Sequence, residues 1–112
     1  MNAKTYIKRF LEWCNGRFGI NGENGRPYES AYGEDRSITD VLFEYTEDNP
    51  DADTTETLVI CNFIKWCTEK YGIDGENGEL YDADTEKTAE FDTVFDEFVN
   101  EINAVACING KA

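Results

Sequence analysis

One hundred and twelve residues suffice for one domain of ordinary size and are too few for two. Forty per cent hydrophobic residues, with seven Phe, six Tyr and two Trp, argue against a disordered chain. Ten Lys and Arg against 24 Asp and Glu give −14, which argues against direct binding of DNA, RNA or an anionic membrane; the absence of histidine removes Ser/His and Cys/His nucleophile pairs and imidazole metal sites.

The stretch from Met1 to Phe10 is polar, unlike a secretory signal or a lipidation site. No apolar run approaches the roughly 18 residues that span a bilayer, so a cytoplasmic protein with reduced thiols is expected. Cys14, Cys61, Cys67 and Cys107 form no C-x-x-C pair, and the six-residue step from Cys61 to Cys67 does not suit zinc; buried free thiols are expected. Ile7, Leu11, Cys14 and Phe18 step by four, three and four along one helical stripe, with Tyr6, Phe10 and Trp13 on a second. This first helix is predicted to stop at Gly19 in a Schellman turn that folds Ile20 back towards Cys14. Gly22-Glu23-Asn24-Gly25 then supplies the residues of a tight turn, and Ser37 with Asp40 opens a second helix through Val41, Leu42 and Tyr45.

From Thr46 to Glu56 the chain is acidic and holds Pro50, a connector whose Asp53 and Glu56 are placed to cap a third helix. Leu58-Val59-Ile60-Cys61 taken alone does not declare its period. An internal repeat at an offset of 53 residues resolves it, because Phe63-Ile64-Lys65-Trp66-Cys67 lies over Phe10-Leu11-Glu12-Trp13-Cys14. The match continues with Tyr71-Gly72-Ile73-Asp74-Gly75-Glu76-Asn77-Gly78 over Phe18 to Gly25, and Tyr81 over Tyr28. Ten of the nineteen positions from Phe10 to Tyr28 are identical to their counterparts. The third helix is thus predicted to end at Gly72. The fourth is predicted to begin at Thr85 or Thr88 and to carry Phe91, Val94, Phe95, Phe98, Ile102 and Val105 to an end near Gly110. The expected fold is mainly α: a single domain over 1–112 in which a duplicated helix-loop-helix unit makes four helices with two equivalent Gly-rich loops, leaving room for short β segments in the loops. Repeat 1 runs from about 3 to 47, the connector over 46–56, and repeat 2 from about 56 to 108.

Charge is unevenly placed. Residues 1–28 carry five Lys and Arg against two acids, and everything after them is strongly acidic. The acidic loops do not match an EF-hand: starting at Asp74 puts Glu79 where glycine belongs, starting at Asn49 puts Thr54 and Ile60 at positions 6 and 12, and starting at Asp82 puts Lys87 at position 6. No metal or other cofactor is expected. Acids spread over solvent-facing positions, thiols on apolar faces and the missing histidine argue against catalysis. Trp13 and Trp66 are expected to pack between elements, while Glu23, Asn24 and Tyr28 with Glu76, Asn77 and Tyr81 are candidate loop contacts. The main candidate is the acidic surface: Glu44, Glu47, Asp48, Asp51, Asp53 and Glu56 around the connector, and Glu86, Glu90, Asp92, Asp96, Glu97 and Glu101 along the fourth helix. That helix carries a net charge about every 5 Å, comparable with the ~3.4 Å phosphate spacing of one DNA strand. Like charges four apart repel, so such a surface suits attraction to a basic partner, with adaptation to high salt as the competing explanation.

In size, charge and carboxylate spacing the chain resembles the small acidic phage-encoded anti-CRISPR and antirestriction inhibitors that mimic nucleic acid. No motif is shared with them. The resemblance implies a non-enzymatic inhibitor in the host-cell cytoplasm that occupies the basic groove of a nucleic-acid-binding defence protein. The alternatives are a protein-binding or scaffold module that uses its aromatic loops, or a halophile-type acidic domain, with a homodimer formed through the basic first helix also expected.

Overall fold

The computed structural model describes residues 3–67 and 70–108. In chain order it contains α1 (Ala3–Cys14), β1 (Phe18–Ile20), β2 (Pro27–Glu29), β3 (Glu34–Asp35), α2 (Ile38–Asp48), α3 (Thr54–Cys67), β4 (Tyr71–Ile73), β5 (Leu80–Asp82) and α4 (Phe91–Ile108). The expectation of a mainly α four-helix domain is corrected by a five-stranded antiparallel sheet of order β3-β2-β1-β4-β5. The fold is α+β.

None of these five strands exceeds three residues, and β1 and β4 are buried at all three positions, so neither shows the alternation that announces a strand. Phe18 and Tyr71 also fall where the helical stripe would continue, which made helix and strand look like one element. The helix ends earlier. The Arg17 N–H donates to the Cys14 carbonyl across a tight turn of 2.8 Å, and Gly16 takes φ +76°.

The stops expected at Gly19 and Gly72 are therefore corrected too: both glycines sit mid-strand, opposite Tyr28 and Tyr81. A Cβ at Gly19 would stand 2.4 Å from the Tyr28 ring and 2.4 Å from the Ile73 carbonyl oxygen; one at Gly72 would stand 2.2 Å from the Tyr81 ring. Close approach requires glycine there.

The caps expected for α2 and α3 are seen. Ser37 Oγ accepts from the Asp40 N–H at 3.0 Å, and Asp53 Oδ1 from the Glu56 N–H at 2.9 Å. The fourth helix begins at Phe91, later than Thr85 or Thr88, because Thr88 is bridged to Tyr81 and the Glu90 carbonyl accepts the first helical bond, from Val94. Cys107, the continuation of the apolar stripe through Ile102 and Val105, and the end near Gly110 lie outside the described side chains.

The duplication is written into the core. Ile7 and Ile60, Phe10 and Phe63, Leu11 and Ile64, Cys14 and Cys67, Phe18 and Tyr71, Ile20 and Ile73, Val41 and Val94, and Tyr45 and Phe98 are pairs 53 apart, and every member is buried. Helices α1 and α2 both pack against α3. The halves join in the sheet, where Ile20 of β1 faces Ile73 of β4. Each β1-β2 or β4-β5 pair is too small to stand alone in water, and joining them gives one sheet with a buried face. Among the described residues no helix is long and apolar enough to cross a membrane.

Candidate functional site

The two Gly-Glu-Asn-Gly loops hold each other. Asn21 and Asp74 accept through their side chains from the N–H groups of Glu23 and Glu76, and Asn24 and Asn77 accept from Arg26 and Glu79, all at 2.9 Å. Gly25 and Gly78 take the positive φ of the turn, +70° in each. Across the pseudo-two-fold, the Tyr28 hydroxyl accepts from the Gly75 N–H (3.0 Å) and donates to the Ile73 carbonyl (3.5 Å). Tyr81 does the same in reverse, accepting from Gly22 (2.9 Å) and donating to Ile20 (3.3 Å). Of the six candidate loop contacts, Asn24, Tyr28, Asn77 and Tyr81 thus work inside the fold. The side chains of Glu23 and Glu76 extend outward.

A second duplicated arrangement consumes acids proposed for the outer surface. The Trp13 indole N–H donates to Asp48 (2.8 Å), which also receives Arg17 (2.7 Å); Trp66 donates to Glu101 (3.0 Å), which also receives Lys70 (2.5 Å). Trp13, Arg17 and Asp48 lie 53 residues before Trp66, Lys70 and Glu101. The Trp13 indole, with Arg17, holds the Asp48 carboxyl below its ordinary range, and Lys70, with Trp66, does so for Glu101. Both cations also lie over their tryptophan rings, at 5.4 and 5.3 Å from the centroids. Each indole packs against neighbouring rings, Phe10, Phe18 and Tyr45 around Trp13, and Phe63, Tyr71 and Phe98 around Trp66.

The connector is similarly tied down. Arg9 of α1 forks onto Asp51 (2.7 and 3.1 Å) and reaches Asn49 (2.9 Å), which keeps Asp51 ionised below the usual carboxylate range. Glu56, expected on the acidic surface, is only 3% exposed: it accepts from the Tyr45 hydroxyl at 2.6 Å and lies 3.5 Å from Arg9. Its position is corrected to the interior, where a buried acid side chain needs such partners to offset its desolvation. Glu44 receives Arg36 (2.6 Å), Asp92 receives Lys4 (3.0 Å), and Glu97 receives the Tyr71 hydroxyl, whose pKa that bond, with burial, pushes up to about 12. Glu86 and Glu90 precede α4, and Glu86 sits at φ +59°.

The expected basic first helix is correspondingly neutralised. Lys4, Arg9, Arg17, Arg26, Arg36 and Lys70 all form ion pairs, leaving Lys8, Lys65 and Lys87 without one among the described residues. Eleven exposed acids form no ion pair at contact distance and accept from no side-chain or backbone donor among the described residues: Glu12, Glu23, Glu34, Asp40, Glu47, Glu76, Glu79, Asp84, Glu86, Glu90 and Asp96. Of the twelve acids read from sequence as the partner surface, Glu47, Glu86, Glu90 and Asp96 are in this free set. Asp53 serves as the α3 cap.

Sequence reasoning also missed a pair of related grooves. One, of about 360 Å3, lies between α1 and the approach to α4, with Leu11, Leu80, Ala89 and Phe91 as its floor and Glu12, Glu79 and Glu90 on its rim. The other uses the equivalent backbone of the first repeat, with Pro27, Arg36 and Ile38 below and Arg26, Ser37 and Lys65 where the first has Glu79, Glu90 and Glu12. Comparing charge position by position across the 53-residue offset is the signal that finds them.

Of the free cysteines, Cys14 and Cys67 are buried as expected, whereas Cys61, one position past the buried Ile60, is corrected to half-buried. Burial pushes the Cys67 thiol up to about 12 and the Cys14 thiol further in the same direction. Neither of these two is poised as a nucleophile. Among the described residues no group of three or more acidic or cysteine side chains is placed to hold a metal ion. No family model, curated protein or solved structure matches this chain.

Proposed function

We propose that this protein is a non-enzymatic binding protein whose unpaired carboxylates occupy the basic groove of a nucleic-acid-binding protein, as an inhibitor of the anti-CRISPR or antirestriction type. The observation that carries this reading is the separation of two classes of acid. One class is spent on Trp13, Trp66, Tyr71 and six cations; the other, eleven strong, stays exposed and forms no ion pair at contact distance among the described residues. Such uncompensated charge costs stability through self-repulsion and favours encounter with a basic surface. The fourth helix alone is a poorer match to a phosphate row than its sequence suggests, since Asp92, Glu97 and Glu101 already have partners. The free set extends instead over the β4-β5 turn and the approach to α4.

The scaffold alternative based on Tyr28 and Tyr81 has less support, because both hydroxyls are engaged by the opposite loop. A homodimer through the first helix loses its motive in the same way, since Lys4 and Arg9 are already paired.

The test is competition. The protein is titrated into complexes of nucleic-acid-binding defence proteins with labelled DNA or RNA, across a salt series. Displacement that weakens with salt is expected. It should be lost when Glu47, Glu76, Glu86 and Asp96 are neutralised together and kept when Asp48 alone becomes Asn. Displacement by none of the targets, or displacement insensitive to salt and to the fourfold change, refutes the reading.

A further inference from the structure

The two grooves share one backbone plan and carry opposite charge. On the rim of the first stand Glu12, Glu79 and Glu90, none with an ion-pair partner among the described residues, with Lys8 as the single cation. Their counterparts in the second are Lys65, Arg26 and Ser37. The floors differ as well. Leu80 and Ala89 of the first correspond to Pro27 and to Arg36, whose guanidinium is bound to Glu29 and Glu44. Gly78, at φ +70°, brings the turn close enough to α1 that a Cβ there would stand 2.8 Å from the Leu11 carbonyl oxygen. This close approach forms one wall, and Phe91 at the first turn of α4 forms the opposite end. An apolar floor under a rim of free carboxylates is a seat for an apolar side chain carried between cations, and a volume of about 360 Å3 is enough for one or two such side chains.

We infer that the groove between α1 and the start of α4 docks a basic segment of the protein's partner, one that presents an aliphatic or aromatic anchor flanked by Lys or Arg. The inference rests on the proposed reading of the acidic surface and adds to it a defined seat. Rim carboxylates would then set orientation and association rate, and the buried anchor would set the lifetime of the complex. The second groove has Lys65 and Arg26 where the first has Glu12 and Glu79, with Asp35 already paired to Arg26; it lacks the rim of free carboxylates and serves as an internal control.

Two synthetic ten-residue peptides of equal positive charge test this. One alternates Lys with Ser; the other has Leu and Phe in place of the two central serines. Each is titrated into the isotope-labelled full chain at about physiological salt, with backbone amide shifts as readout. The apolar-anchored peptide is expected to bind at least about tenfold more tightly, with changes concentrated at residues 11–15, 77–80 and 88–91. Glu12→Lys/Glu79→Arg/Glu90→Ser should abolish that binding while preserving the fold, because the first repeat already accommodates Lys65, Arg26 and Ser37 in the equivalent positions. Ala89→Trp, which fills the floor without altering charge, should remove the tenfold preference and leave the weaker binding. Equal affinity for the two peptides, or shifts spread outside the groove, overturns the docking site while leaving the basic-partner reading in place. Failure of both peptides to bind even at low salt overturns both. Concentration-dependent shifts of the same amides in the protein alone would assign the groove to a second copy, and would also overturn the inference.

Discussion

Replacing Tyr45 by Phe removes a single hydroxyl from a site whose shape already tolerates Phe. The equivalent position in the second repeat is Phe98, and both rings make the same contacts: Tyr45 lies edge-on to Phe10 and Trp13 at 5.4 and 5.3 Å, and Phe98 to Phe63 and Trp66 at 5.4 and 5.4 Å. The loss therefore isolates the 2.6 Å bond to Glu56. A hydrogen bond to a charged group contributes about 1.5–3 kcal/mol, and Glu56, being 3% exposed, cannot recruit bulk water; Arg9 at 3.5 Å is its remaining partner. Tyr45→Phe is expected to cost about 2 kcal/mol, or about 8 °C in Tm for a chain of this length. Glu56→Leu, by removing the carboxylate, should make the second substitution nearly neutral, so the double variant recovers about 1–2 kcal/mol relative to additivity. Urea unfolding followed by the fluorescence of Trp13 and Trp66 measures this; guanidinium chloride would screen the very charges at issue. A cost for Tyr45→Phe below about 0.5 kcal/mol, or an equal cost with Leu at position 56, refutes the reasoning.

Glu86 has φ +59° where the first repeat has Gly33 at +67°, so Glu86→Gly should stabilise by about 0.5–1 kcal/mol in urea titration; a lower midpoint would contradict it. Gly16 and Gly19 separate backbone strain from lack of space. Gly16→Ala, at φ +76° with open surroundings, should cost about 1 kcal/mol, and Gly19→Ala, whose Cβ meets Tyr28 and the Ile73 carbonyl at 2.4 Å, about 3 kcal/mol, with equal costs counting against the distinction. Asp48, Asp51 and Glu101 ionise more readily folded than unfolded, so their contribution is complete above about pH 5 and is lost as the pH falls through their lowered folded values. Asp48→Asn/Glu101→Gln should accordingly flatten the acid limb of a stability-pH curve, and an unchanged limb would reject those groups as its source. Tyr71 has the opposite sign: its contribution is complete below about pH 10 and is lost as the pH rises through about 12, a limb that Tyr71→Phe should reduce in the same titrations.

Much of the framework is legible in the residues because local chemistry specifies it. The helical stripes through Ile7, Leu11 and Cys14 and through Ile60, Ile64 and Cys67, the cap at Ser37, and the turns at Gly25 and Gly78 all follow from short-range propensity and periodicity. The 53-residue duplication is visible for the same reason: it needs only two stretches of sequence to be compared. The sheet was not legible. Three-residue strands such as Phe18–Ile20 bury every side chain, leave no alternation to read, and depend on a partner 53 residues away.

The candidate site divides along the same line. Sequence alone determined the surplus of acid, the lack of histidine and the presence of two equivalent loops. Only the tertiary structure decided which acids remain free. Glu56 is buried against Tyr45, Asp48 and Glu101 bind the two tryptophans, and Arg9 and Lys4 turn an apparent basic island into counter-charge for Asp51 and Asp92. Tyr28 and Tyr81, each conspicuous beside its own loop, spend their hydroxyls on the opposite one. Charge and periodicity are properties of a chain. Pairing and desolvation depend on distances between distant residues, and those distances exist only once the two repeats have closed on each other.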